Sequence, residues 1–395
     1  MSRIGGGSVV GVVGAGTMGS GIAQVAAQAG HQVVVFDTRE DVVNKLKPGL
    51  ERVFNRLVEK GKVSKDDAMR TLERVQPTAS LDDFAPASFV IEAVVEDLAV
   101  KQTLFGKLER ICGPETILAT NTSSLPVTAI QASCARPEHV LGVHFFNPAP
   151  LLPLVEIIPG LRTDSALAAD VASRISAWGK TTVLARDLPG FIVNRIARPF
   201  YGEALRILEE GIADVATIDW AMKELGGFRM GPFELMDLIG NDINVTVSET
   251  VFQAFYFDPR YRPSLLQRRY VDAGWLGKKT GRGWYDYSEG ANNPAPTTDQ
   301  NLGARIVDRI VVMLMNEALD ALYLGVASAE DIDLAMTKGV NYPKGLLRWA
   351  EERGFAWVLE HLTALRMTYN EDRYRPSPIL RRLVQDEGVI FGTAA

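Results

Sequence analysis

A glycine-rich turn between two β-prone runs constrains the N-terminal part of this chain more than any other feature. The apolar run from Ser8 to Val13 leads directly into Gly14-Ala-Gly-Thr-Met-Gly19, and an alanine-rich amphipathic stretch follows as far as Ala29. A second apolar run, Gln32 to Phe36, stops at Asp37. A strand, a turn, a helix and a strand in this order predict a βαβ unit.

Further apolar runs predict more strands, and helical patterns separate several of them. The runs are Ala87 to Ala93, Thr116 to Ala119, Val140 to His144, Leu154 to Ile158 and Thr181 to Ala185. Strands that alternate with helices favour a mostly parallel sheet that is covered on both faces. We therefore predict an α/β, Rossmann-type domain over residues 1–187.

The rest of the chain has a helical character. Helical patterns run from Pro189 to about Ala273, and Pro199 is expected to kink the first long helix. A stretch rich in Pro, Asn, Gly and Thr, from Ser288 to Gln300, is typical of a linker. A second helical region follows it. We therefore predict one helical domain over 188–290 and another over 301–395.

The second helical region repeats the first at an offset of 113 or 114 residues. Three blocks recur in the same order: Glu203-Ala-Leu205 as Glu317-Ala-Leu319, Ile218-Asp-Trp-Ala-Met222 as Ile332-Asp-Leu-Ala-Met336, and Arg260-Tyr-Arg-Pro-Ser264 as Arg373-Tyr-Arg-Pro-Ser377. The second copy lacks the Gly277-Lys-Lys-Thr-Gly281 ending. Matching blocks at nearly one offset predict two tandem copies of one all-α domain.

Composition argues against several classes of protein. The 395 residues are 47% hydrophobic and 23% charged, with a net charge of −6, so a broad nucleic-acid surface is not expected. The chain starts without the apolar core of a signal peptide, and no apolar run reaches the about 20 residues that span a bilayer. Cys112 and Cys134 lack metal-ligand spacing, and we interpret them as packing residues. We expect a cytoplasmic protein without metal, membrane or nucleic-acid partners.

The glycine turn has the spacing of a dinucleotide-binding site. Gly14 permits the tight turn, Gly16 lets the backbone approach a pyrophosphate, and Gly19 lets helix and strand pack closely. Thr17 and Met18 lie at the start of the helix, whose N-terminus favours the anion, so we expect them to contact the cofactor as well. A glycine turn that serves packing alone is the alternative.

Asp37 indicates which dinucleotide the site takes. It ends the second strand, where its carboxylate can accept hydrogen bonds from ribose hydroxyls and repel a 2′-phosphate. This favours NAD over NADP. Arg39, two residues on, is the one feature that points towards NADP.

His144 and Glu156 lie on two successive predicted strands. A histidine suits the interconversion of alcohols and ketones, because a pKa of about 6.5 lets it accept and donate a proton near neutrality. A carboxylate partner would fix the tautomer of the ring and stabilise the imidazolium. Taken alone, however, His144 fits a structural role and Glu156 a solvated or ion-paired one, and their spacing does not prove contact.

Five motifs together resemble the 3-hydroxyacyl-CoA dehydrogenase family. They are Gly14-Ala-Gly-Thr-Met-Gly19, Thr120-Asn-Thr-Ser-Ser-Leu125, His144-Phe-Phe-Asn-Pro148, Leu154-Val-Glu156 and Pro189-Gly-Phe-Ile-Val-Asn-Arg195. Their order and spacing match through residue 287. The resemblance implies an NAD-dependent enzyme of fatty acid β-oxidation that interconverts (S)-3-hydroxyacyl-CoA and 3-oxoacyl-CoA, and helical domains of that family's C-terminal type.

The resemblance also implies roles for single residues. His144 is the catalytic acid and base, Glu156 orients it, and Ser123 hydrogen-bonds the substrate oxygen. Asn194 completes the site from the helical domain, and Asn147 supports substrate binding. The residues expected to contact the cofactor are Glu96, Lys101 and Asn121. Taken alone, each of these residues could instead have a purely structural role, such as a helix cap for Asn194.

A pair of cations on a predicted helix is a candidate for binding the coenzyme A part of the substrate. Arg56 and Lys60 are four residues apart and share one face of the helix. The resemblance implies that cations in this region meet the CoA phosphates. A solvated charged face is the alternative, and Lys62 could substitute for either residue.

Arg229 bears on the identity of the acyl group. In Gly226-Gly-Phe-Arg-Met-Gly-Pro232, the Gly-Phe-Arg form resembles the 3-hydroxyadipyl-CoA enzymes of phenylacetate degradation more than the 3-hydroxybutyryl-CoA enzymes, which are the alternative. Our hypothesis is that Arg229 pairs with the terminal carboxylate of a dicarboxylyl-CoA. A structural ion pair with Glu234 or Asp237 is the competing interpretation.

Other functions and two states of assembly stay open. A sugar-acid or other β-hydroxyacid dehydrogenase would share the domains but uses a lysine base and lacks the His-Phe-Phe-Asn-Pro and Leu-Val-Glu motifs. A crystallin-like relative or cofactor-binding scaffold would have damaged catalytic positions, and those here are intact. The duplication allows either a homodimer or a monomer whose two helical copies form an intrachain pseudo-dimer.

Overall fold

The computed structural model describes residues 8–391. The extreme ends of the predicted domains, and the start of the chain on which the signal-peptide argument rests, lie outside the described residues. Contacts divide the chain into two compact units, of which the first ends at Phe191 and the second begins at Ile192. Apart from residues 188–191, both predicted helical regions lie in the second unit.

An eight-stranded sheet forms the centre of the first unit. In chain order its strands are β1 (Val9–Val13), β2 (Gln32–Phe36), β3 (Val75–Thr78), β4 (Phe89–Glu92), β5 (Ile117–Thr120), β6 (Val140–Phe145), β7 (Leu154–Pro159) and β8 (Thr181–Leu184). Across the sheet they lie in the order β3-β2-β1-β4-β5-β6-β7-β8. Among these strands only β6 and β7 pair antiparallel, so the prediction of a mostly parallel sheet is confirmed.

Strand β3 was not predicted, because its sequence contains no apolar run. β3 has the sequence Val-Gln-Pro-Thr, and only its first residue is buried. The strand lies at the edge of the sheet, where Pro77 is tolerated although it has no N–H to donate. Hydrophobic runs therefore predicted seven of the eight strands and missed this one.

Within residues 8–191, six helices accompany the sheet. They are α1 (Thr17–Gln28), α2 (Glu40–Glu59), α3 (Lys65–Glu73), α4 (Leu98–Ile111), α5 (Val127–Gln131) and α6 (Ser165–Ala177), with short 3₁₀ turns at Leu81–Phe84 and Pro137–His139. Alternate strand residues belong to different apolar clusters: Phe89 and Ile91 pack in one, and Val90 packs in the other. Because successive side chains of a strand point to opposite faces, both faces of the sheet are covered.

The two cysteines of the first unit are packing residues, as predicted. Cys112 and Cys134 are buried in the same apolar cluster and form no disulfide. Burial raises the pKa of each thiol to about 11. Neither thiol is therefore ionised near neutral pH, and neither has the properties of a nucleophile.

The second unit is helical. Its helices are α7 (Val193–Ile196), α8 (Arg198–Glu209), α9 (Val215–Trp220), α10 (Pro232–Ile239), α11 (Asn241–Ala254), α12 (Leu265–Asp272), α13 (Gln300–Tyr323), α14 (Ala329–Gly339), α15 (Leu346–Arg353), α16 (Phe355–Tyr369) and α17 (Pro378–Gln385). Shorter turns lie at Ala221–Leu225, Pro259–Tyr261, Lys278–Thr280 and Asp372–Tyr374. Within residues 8–391 no helix is long and apolar enough to cross a membrane.

Two sequence features set helix ends in this unit. The first long helical stretch breaks at Ala197, and Pro199 lies in the first turn of α8, where a missing N–H is tolerated. The expected effect of this proline is therefore confirmed, as a break between two helices. The linker contains no helix or strand until α13 begins after Asp299, whose carboxylate accepts from two amides of the first turn.

A buried carboxylate on α13 holds three groups from the earlier part of the unit. Glu317, which is fully buried, accepts hydrogen bonds from Arg195 Nε at 2.7 Å, from Arg260 Nη1 at 3.2 Å and from the Tyr261 hydroxyl. Asp320 lies 3.0 Å from each of the two guanidinium groups. Burial alone would raise the pKa of Glu317, but Arg195 and Arg260 lower it below its usual value.

A second buried carboxylate, Glu203, contacts groups from the later part of the unit. Glu203 on α8 is 3.0 Å from Arg309 Nε, 3.6 Å from Arg373 Nε and 3.0 Å from the Tyr374 hydroxyl. Glu203 thus takes these three partners from the later part of the unit, whereas Glu317 takes Arg195, Arg260 and Tyr261 from the earlier part. Together the two carboxylates tie the two helical stretches to each other.

We expect the Glu317→Ala variant to lower the free energy of unfolding by about 3–5 kcal/mol, because two buried guanidinium groups lose their main counter-charge. Urea unfolding followed by circular dichroism measures the change. The control is Glu352→Ala, which removes an exposed partner of Lys344 and is expected to cost about 0.5 kcal/mol or less. Equal stability of the two variants would contradict a structural role for the network.

Candidate active site

The candidate residues of the first unit follow the carboxyl ends of adjacent strands. The glycine turn follows β1, Asp37 follows β2, Glu96 follows β4 and Asn121 follows β5. His144 lies near the end of β6, which is parallel to β5. Because the carboxyl ends of parallel strands meet at one edge of a sheet, the fold places these side chains along that edge.

The three glycines of the turn have different surroundings. Gly14 has a φ of +101°, and a Cβ there would lie 2.5 Å from the Ala93 backbone oxygen. A Cβ at Gly19 would lie 1.7 Å from the backbone oxygen of Gly14. Next to Gly16, by contrast, no heavy atom of the described residues, apart from its chain neighbours, lies within 4 Å of the Cβ position. The outer glycines are therefore required by packing, and the middle one leaves room beside the backbone for a pyrophosphate.

The start of α1 is open to an anion. Gly16 is its N-cap residue and supplies no side-chain hydrogen bond to the amides of the first turn. Thr17 is exposed, and Met18 packs partly against the core. The helix N-terminus therefore presents amide N–H groups and a positive dipole end at the place where the turn leaves space.

The Asp37 carboxylate is fixed against the glycine turn. One oxygen accepts from the amide of Ala15 and the other from the amide of Arg39, both at 2.9 Å. The guanidinium of Arg39 is exposed and lies 3.7 Å from the same carboxylate. A carboxylate held here fits ribose hydroxyls and repels a 2′-phosphate, so the residues present suit NAD.

His144 and Glu156 are in direct contact. They lie opposite each other in the antiparallel pairing of β6 with β7, and His144 Nδ1 is 2.6 Å from Glu156 Oε2. Both are buried, with exposed fractions of 5% and 0%. The rings of Phe146 and Phe191 lie 4.5 and 5.9 Å from the imidazole. The hydrogen bond fixes the tautomer in which Nε2 carries the free lone pair and can exchange a proton.

The loop after β5 is organised by one carboxylate. Glu96 Oε1 accepts from the Thr122 hydroxyl at 2.6 Å, from the Ser123 amide at 2.9 Å and from the Ser124 amide at 3.2 Å. The Ser123 hydroxyl lies 3.4 Å from the same oxygen. Burial alone would raise the pKa of Glu96, but Lys101 and the hydrogen bonds from the loop lower it below its usual value. An ionised Glu96 therefore holds Ser123 in place.

The two predicted asparagines of this unit differ in their surroundings. Asn121 Oδ1 accepts from the Phe145 amide at 2.8 Å, which joins the ends of β5 and β6. Asn147 is exposed on the loop after β6, before a cis peptide bond to Pro148. The expected contacts of Asn121 with the cofactor and of Asn147 with the substrate stay predictions.

The predicted substrate cations are exposed. α2 ends at Glu59, so Arg56 lies in its last turn and Lys60 caps it rather than continuing the predicted helix. Lys62 follows directly and is exposed as well. No ion pair of these cations occurs among the described residues, which leaves them available to anionic groups.

The second unit carries Asn194 and Arg229. Asn194 is half-buried on α7, and its backbone oxygen accepts from Arg198 Nε at 2.9 Å. Arg229 is exposed. The predicted alternative for Arg229 was an ion pair with Glu234 or Asp237, and the structure does not contain it. Glu234 pairs instead with Lys223, and Asp237 accepts from the Trp284 and Tyr285 amides.

Comparison with known families identifies the chain. The sequence model of the 3-hydroxyacyl-CoA dehydrogenase NAD-binding domain matches residues 9–188. The model of the C-terminal domain of the same enzymes matches residues 190–287 and 306–389. The chain belongs to the 3-hydroxyacyl-CoA dehydrogenase family. It is an NAD-dependent 3-hydroxyacyl-CoA dehydrogenase with a Rossmann-like N-terminal domain and a helical C-terminal region, as predicted.

The similarity to known relatives covers most of the dehydrogenase. The 3-hydroxyadipyl-CoA dehydrogenase of Escherichia coli is 38% identical over 94% of this chain and 96% of its own length. A crystal structure of 3-hydroxybutyryl-CoA dehydrogenase from E. coli superposes with a TM-score of 0.92 at 36% identity, covering 97% of this chain and 99% of that one. The (S)-3-hydroxybutyryl-CoA dehydrogenase of Ralstonia eutropha has a TM-score of 0.68 and 40% identity over 71% of this chain and 99% of its own.

The sequence patterns did not predict the buried ion pair between Lys101 and Glu92. Lys101, predicted to contact the cofactor, is 1% exposed, and its Nζ lies 2.6 Å from Glu92 and 3.2 Å from Glu96. Glu92 is fully buried at the end of β4 and also accepts from the Thr120 hydroxyl at 2.7 Å. The available signal was a glutamate inside the apolar run Ala87 to Ala93. A direct contact of Lys101 with the cofactor stays a prediction.

The glycine turn gives a contrast between two substitutions. The methyl group of Gly16→Ala meets open space, so we expect the melting temperature to stay within about 2 °C of the wild type. We expect NADH binding to weaken at least about tenfold, because the methyl group fills the place of the pyrophosphate. Gly19→Ala meets a backbone oxygen, so we expect a loss of stability of about 3 kcal/mol or more.

Differential scanning fluorimetry and NADH fluorescence titration measure the two effects. Gly49→Ala, in the interior of α2, is the control, since the nearest atom to its Cβ position is 4.0 Å away at the end of an arginine side chain. If Gly16→Ala bound NADH as tightly as the control variant, the cofactor would not approach the backbone at this turn.

Proposed function

We propose that this dehydrogenase interconverts (S)-3-hydroxyadipyl-CoA and 3-oxoadipyl-CoA with NAD, a reaction of phenylacetate degradation. The observation that carries the chemistry is the buried hydrogen bond between His144 and Glu156 at the sheet edge that also holds the glycine turn. Similarity to the E. coli 3-hydroxyadipyl-CoA dehydrogenase along 94% of the chain supports the choice of substrate. The alternative is 3-hydroxybutyryl-CoA, after the relatives that carry that name.

In the proposed mechanism His144 acts as the base in oxidation and as the acid in reduction. NAD, when bound, supplies the hydride acceptor, and NADH the donor. His144 Nε2 takes the proton of the C3 hydroxyl, and Glu156 stabilises the resulting imidazolium through Nδ1. Ser123 holds the C3 oxygen near the histidine. Its loop is kept in position by Glu96.

The remaining site residues contribute binding. Asn194 is proposed to orient the substrate from the helical unit, and Asn147 to support it from the loop after β6. The exposed cations Arg56 and Lys60, or Lys62 in place of either, are proposed to meet the CoA phosphates. An acyl-CoA carries several phosphate charges, so such cations raise the rate of encounter.

The helical unit is proposed to consist of two tandem copies, over 188–290 and 301–395. In the repeat register Arg195 corresponds to Arg309, Glu203 to Glu317, Arg260 to Arg373 and Tyr261 to Tyr374. The contacts are reciprocal: each buried glutamate receives the two arginines and the tyrosine of the other copy. Reciprocal contacts between equivalent residues are the mark of a two-fold interface.

Two further pairs of equivalent residues support the duplication. Asp219 accepts from the amides of residues 233 and 234, and Asp333 accepts from those of residues 347 and 348, so each copy caps the same helix in the same way. The rings of Phe228 and Tyr342, which correspond in the repeat, lie 5.0 Å apart. Equivalent residues that touch each other lie close to a two-fold axis.

The duplication bears on assembly. Because the two copies cover each other's interface, we propose a monomer with an intrachain pseudo-dimer of helical domains, in place of the homodimer. A cytoplasmic location is also proposed, and two free, buried cysteines are compatible with a reducing compartment. Sedimentation equilibrium distinguishes the two states of assembly.

We expect His144→Ala and Glu156→Gln each to lower kcat for 3-oxoacyl-CoA reduction by about 10²–10⁴-fold, since proton transfer loses its donor or the ring loses its orientation. NADH oxidation with acetoacetyl-CoA and 3-oxoadipyl-CoA measures the loss, and fluorescence titration checks that NADH binding persists. NADPH is the cofactor control. A higher kcat/KM for acetoacetyl-CoA in the wild type would favour the 3-hydroxybutyryl-CoA alternative.

Arg229 allows a test of carboxylate recognition at an exposed position. Arg229→Ala is expected to lower kcat/KM for 3-oxoadipyl-CoA about threefold more than for acetoacetyl-CoA, since an ion pair at an exposed site contributes about 0.2–1 kcal/mol. Steady-state kinetics with both thioesters measure the ratio. An equal loss for the two substrates would remove Arg229 from selective recognition.

A further inference from the structure

A cavity inside the helical unit has an excess of positive groups. Its wall includes four arginines and, among the described residues, a single carboxylate: Arg198, Arg206, Arg260, Arg262 and Glu203. Its volume of about 20 Å³ exceeds what one water needs. The space admits a water-sized polar group, such as a carboxylate oxygen.

Arg198 is one of the four arginines that line this cavity. It is 8% exposed, and its Nε donates to the backbone oxygen of Asn194 at 2.9 Å and its Nη1 to the Ser248 hydroxyl at 3.1 Å. The guanidinium lies 5.0 Å from the centre of the Tyr201 ring. No carboxylate of the described residues forms an ion pair with it. Burial lowers the pKa of Arg198, yet an arginine stays charged in a protein, so this charge is buried without a counter-ion.

Two neighbouring arginines also have unused donors. Arg206 Nε lies 3.5 Å from Glu203 and makes no hydrogen bond, while Glu203 already serves Arg309 and Arg373. Arg260 is 7% exposed, and its Nε is buried without an acceptor among the described residues. The wall of the cavity therefore carries more positive than negative groups, and some of its donors have no acceptor.

We propose that this cavity binds an anion, and that the anion is the terminal carboxylate of the acyl chain. This proposal rests on the proposed function, in which the substrate is a dicarboxylyl-CoA. Asn194 and Arg198 lie on either side of the break between α7 and α8, and Arg198 Nε donates to the Asn194 backbone oxygen. Four residues in near-helical conformation span about 5 Å. The terminal carboxylate of 3-oxoadipyl-CoA lies three carbons beyond C3, a similar distance. An acyl group oriented by Asn194 at C3 therefore brings its carboxylate to Arg198.

Burial makes Arg198 a stronger selector than Arg229. An exposed guanidinium meets a carboxylate in water, where the ion pair contributes little. A buried guanidinium has already lost its hydration, so a carboxylate restores its charge balance and an uncharged acyl chain does not. The cavity thus selects for dicarboxylyl groups, and Arg229 is left with a minor part in selection.

The test compares kcat/KM for 3-oxoadipyl-CoA and acetoacetyl-CoA, with NADH, in the wild type and in Arg198→Met. We expect a loss of about 100-fold for 3-oxoadipyl-CoA and a loss at least tenfold smaller for acetoacetyl-CoA. Arg198→Lys keeps the cation and is expected to recover part of the preference. Arg268→Met removes an exposed arginine of the same unit, paired with Glu249, and is expected to leave the ratio at the wild-type value.

Equal losses for both thioesters in a folded Arg198→Met, or an unchanged ratio, would overturn the proposal, since Arg198 would then act only through Asn194 or not at all. If Arg198→Met fails to fold, Ser248→Ala replaces it, because it removes the hydroxyl that holds Nη1. A decrease of the preference for 3-oxoadipyl-CoA by about fivefold supports the proposal, and an unchanged preference contradicts it.

A melting experiment separates a substrate carboxylate from a free ion. The melting temperature is measured in sodium chloride and in sodium gluconate at equal ionic strength. Stabilisation by chloride that is lost in Arg198→Met, together with an unchanged ratio of substrates, would assign the cavity to a free anion and overturn the carboxylate assignment. If the wild type reduces acetoacetyl-CoA but shows no preference for 3-oxoadipyl-CoA, the proposed substrate is wrong, and the chloride effect alone decides whether the cavity binds anions.

Discussion

The hydrogen bond between His144 and Glu156 depends on one reversal of strand direction. In an antiparallel pair, residues directly opposite each other on one face have Cβ atoms about 4.5–5.5 Å apart, so a histidine and a glutamate in these positions must meet. The neighbours Val143 and Ile157 point to the opposite face and are buried in the large apolar cluster. A slip of one residue would move one of these side chains out of that cluster and turn Glu156 away from the imidazole, so the core itself holds the catalytic register.

The same sheet edge uses buried charge to hold a loop. Glu92, at the end of β4, pairs with Lys101, and Lys101 reaches Glu96, which accepts from the amides after β5. Burying a lysine would be unfavourable without these two carboxylates, and each carboxylate is satisfied further by hydroxyl or amide donors. Ser123 thus acquires a defined position through three charged side chains, none of which has to touch the substrate.

Sequence patterns predicted the parts of this dehydrogenase that follow from local rules. The glycine turn, seven of the described strands and the effect of Pro199 could be predicted, because each depends on backbone conformation or on periodic burial. The contact of His144 with Glu156 needed the register of two strands, which the spacing alone left open. β3 was missed because an edge strand with a proline carries no apolar run. Glu92 and Arg198 were missed because a buried charge is recognised only when its neighbours are known.

The helical unit shows why a missing partner is informative. Glu317 and Glu203 each lie among arginines and a tyrosine, and those buried guanidinium groups are balanced by carboxylates on the other helical stretch. Arg198 is buried in the same unit to the same degree as Arg309, with exposed fractions of 8% and 7%, yet only Arg309 has carboxylates beside it. A fold that neutralises one buried arginine so thoroughly has no structural need to leave the other charged and unpaired. The unpaired charge of Arg198, next to Asn194, is explained if an anionic group from outside the chain pairs with it. A carboxylate on the substrate would supply that group whenever the substrate binds.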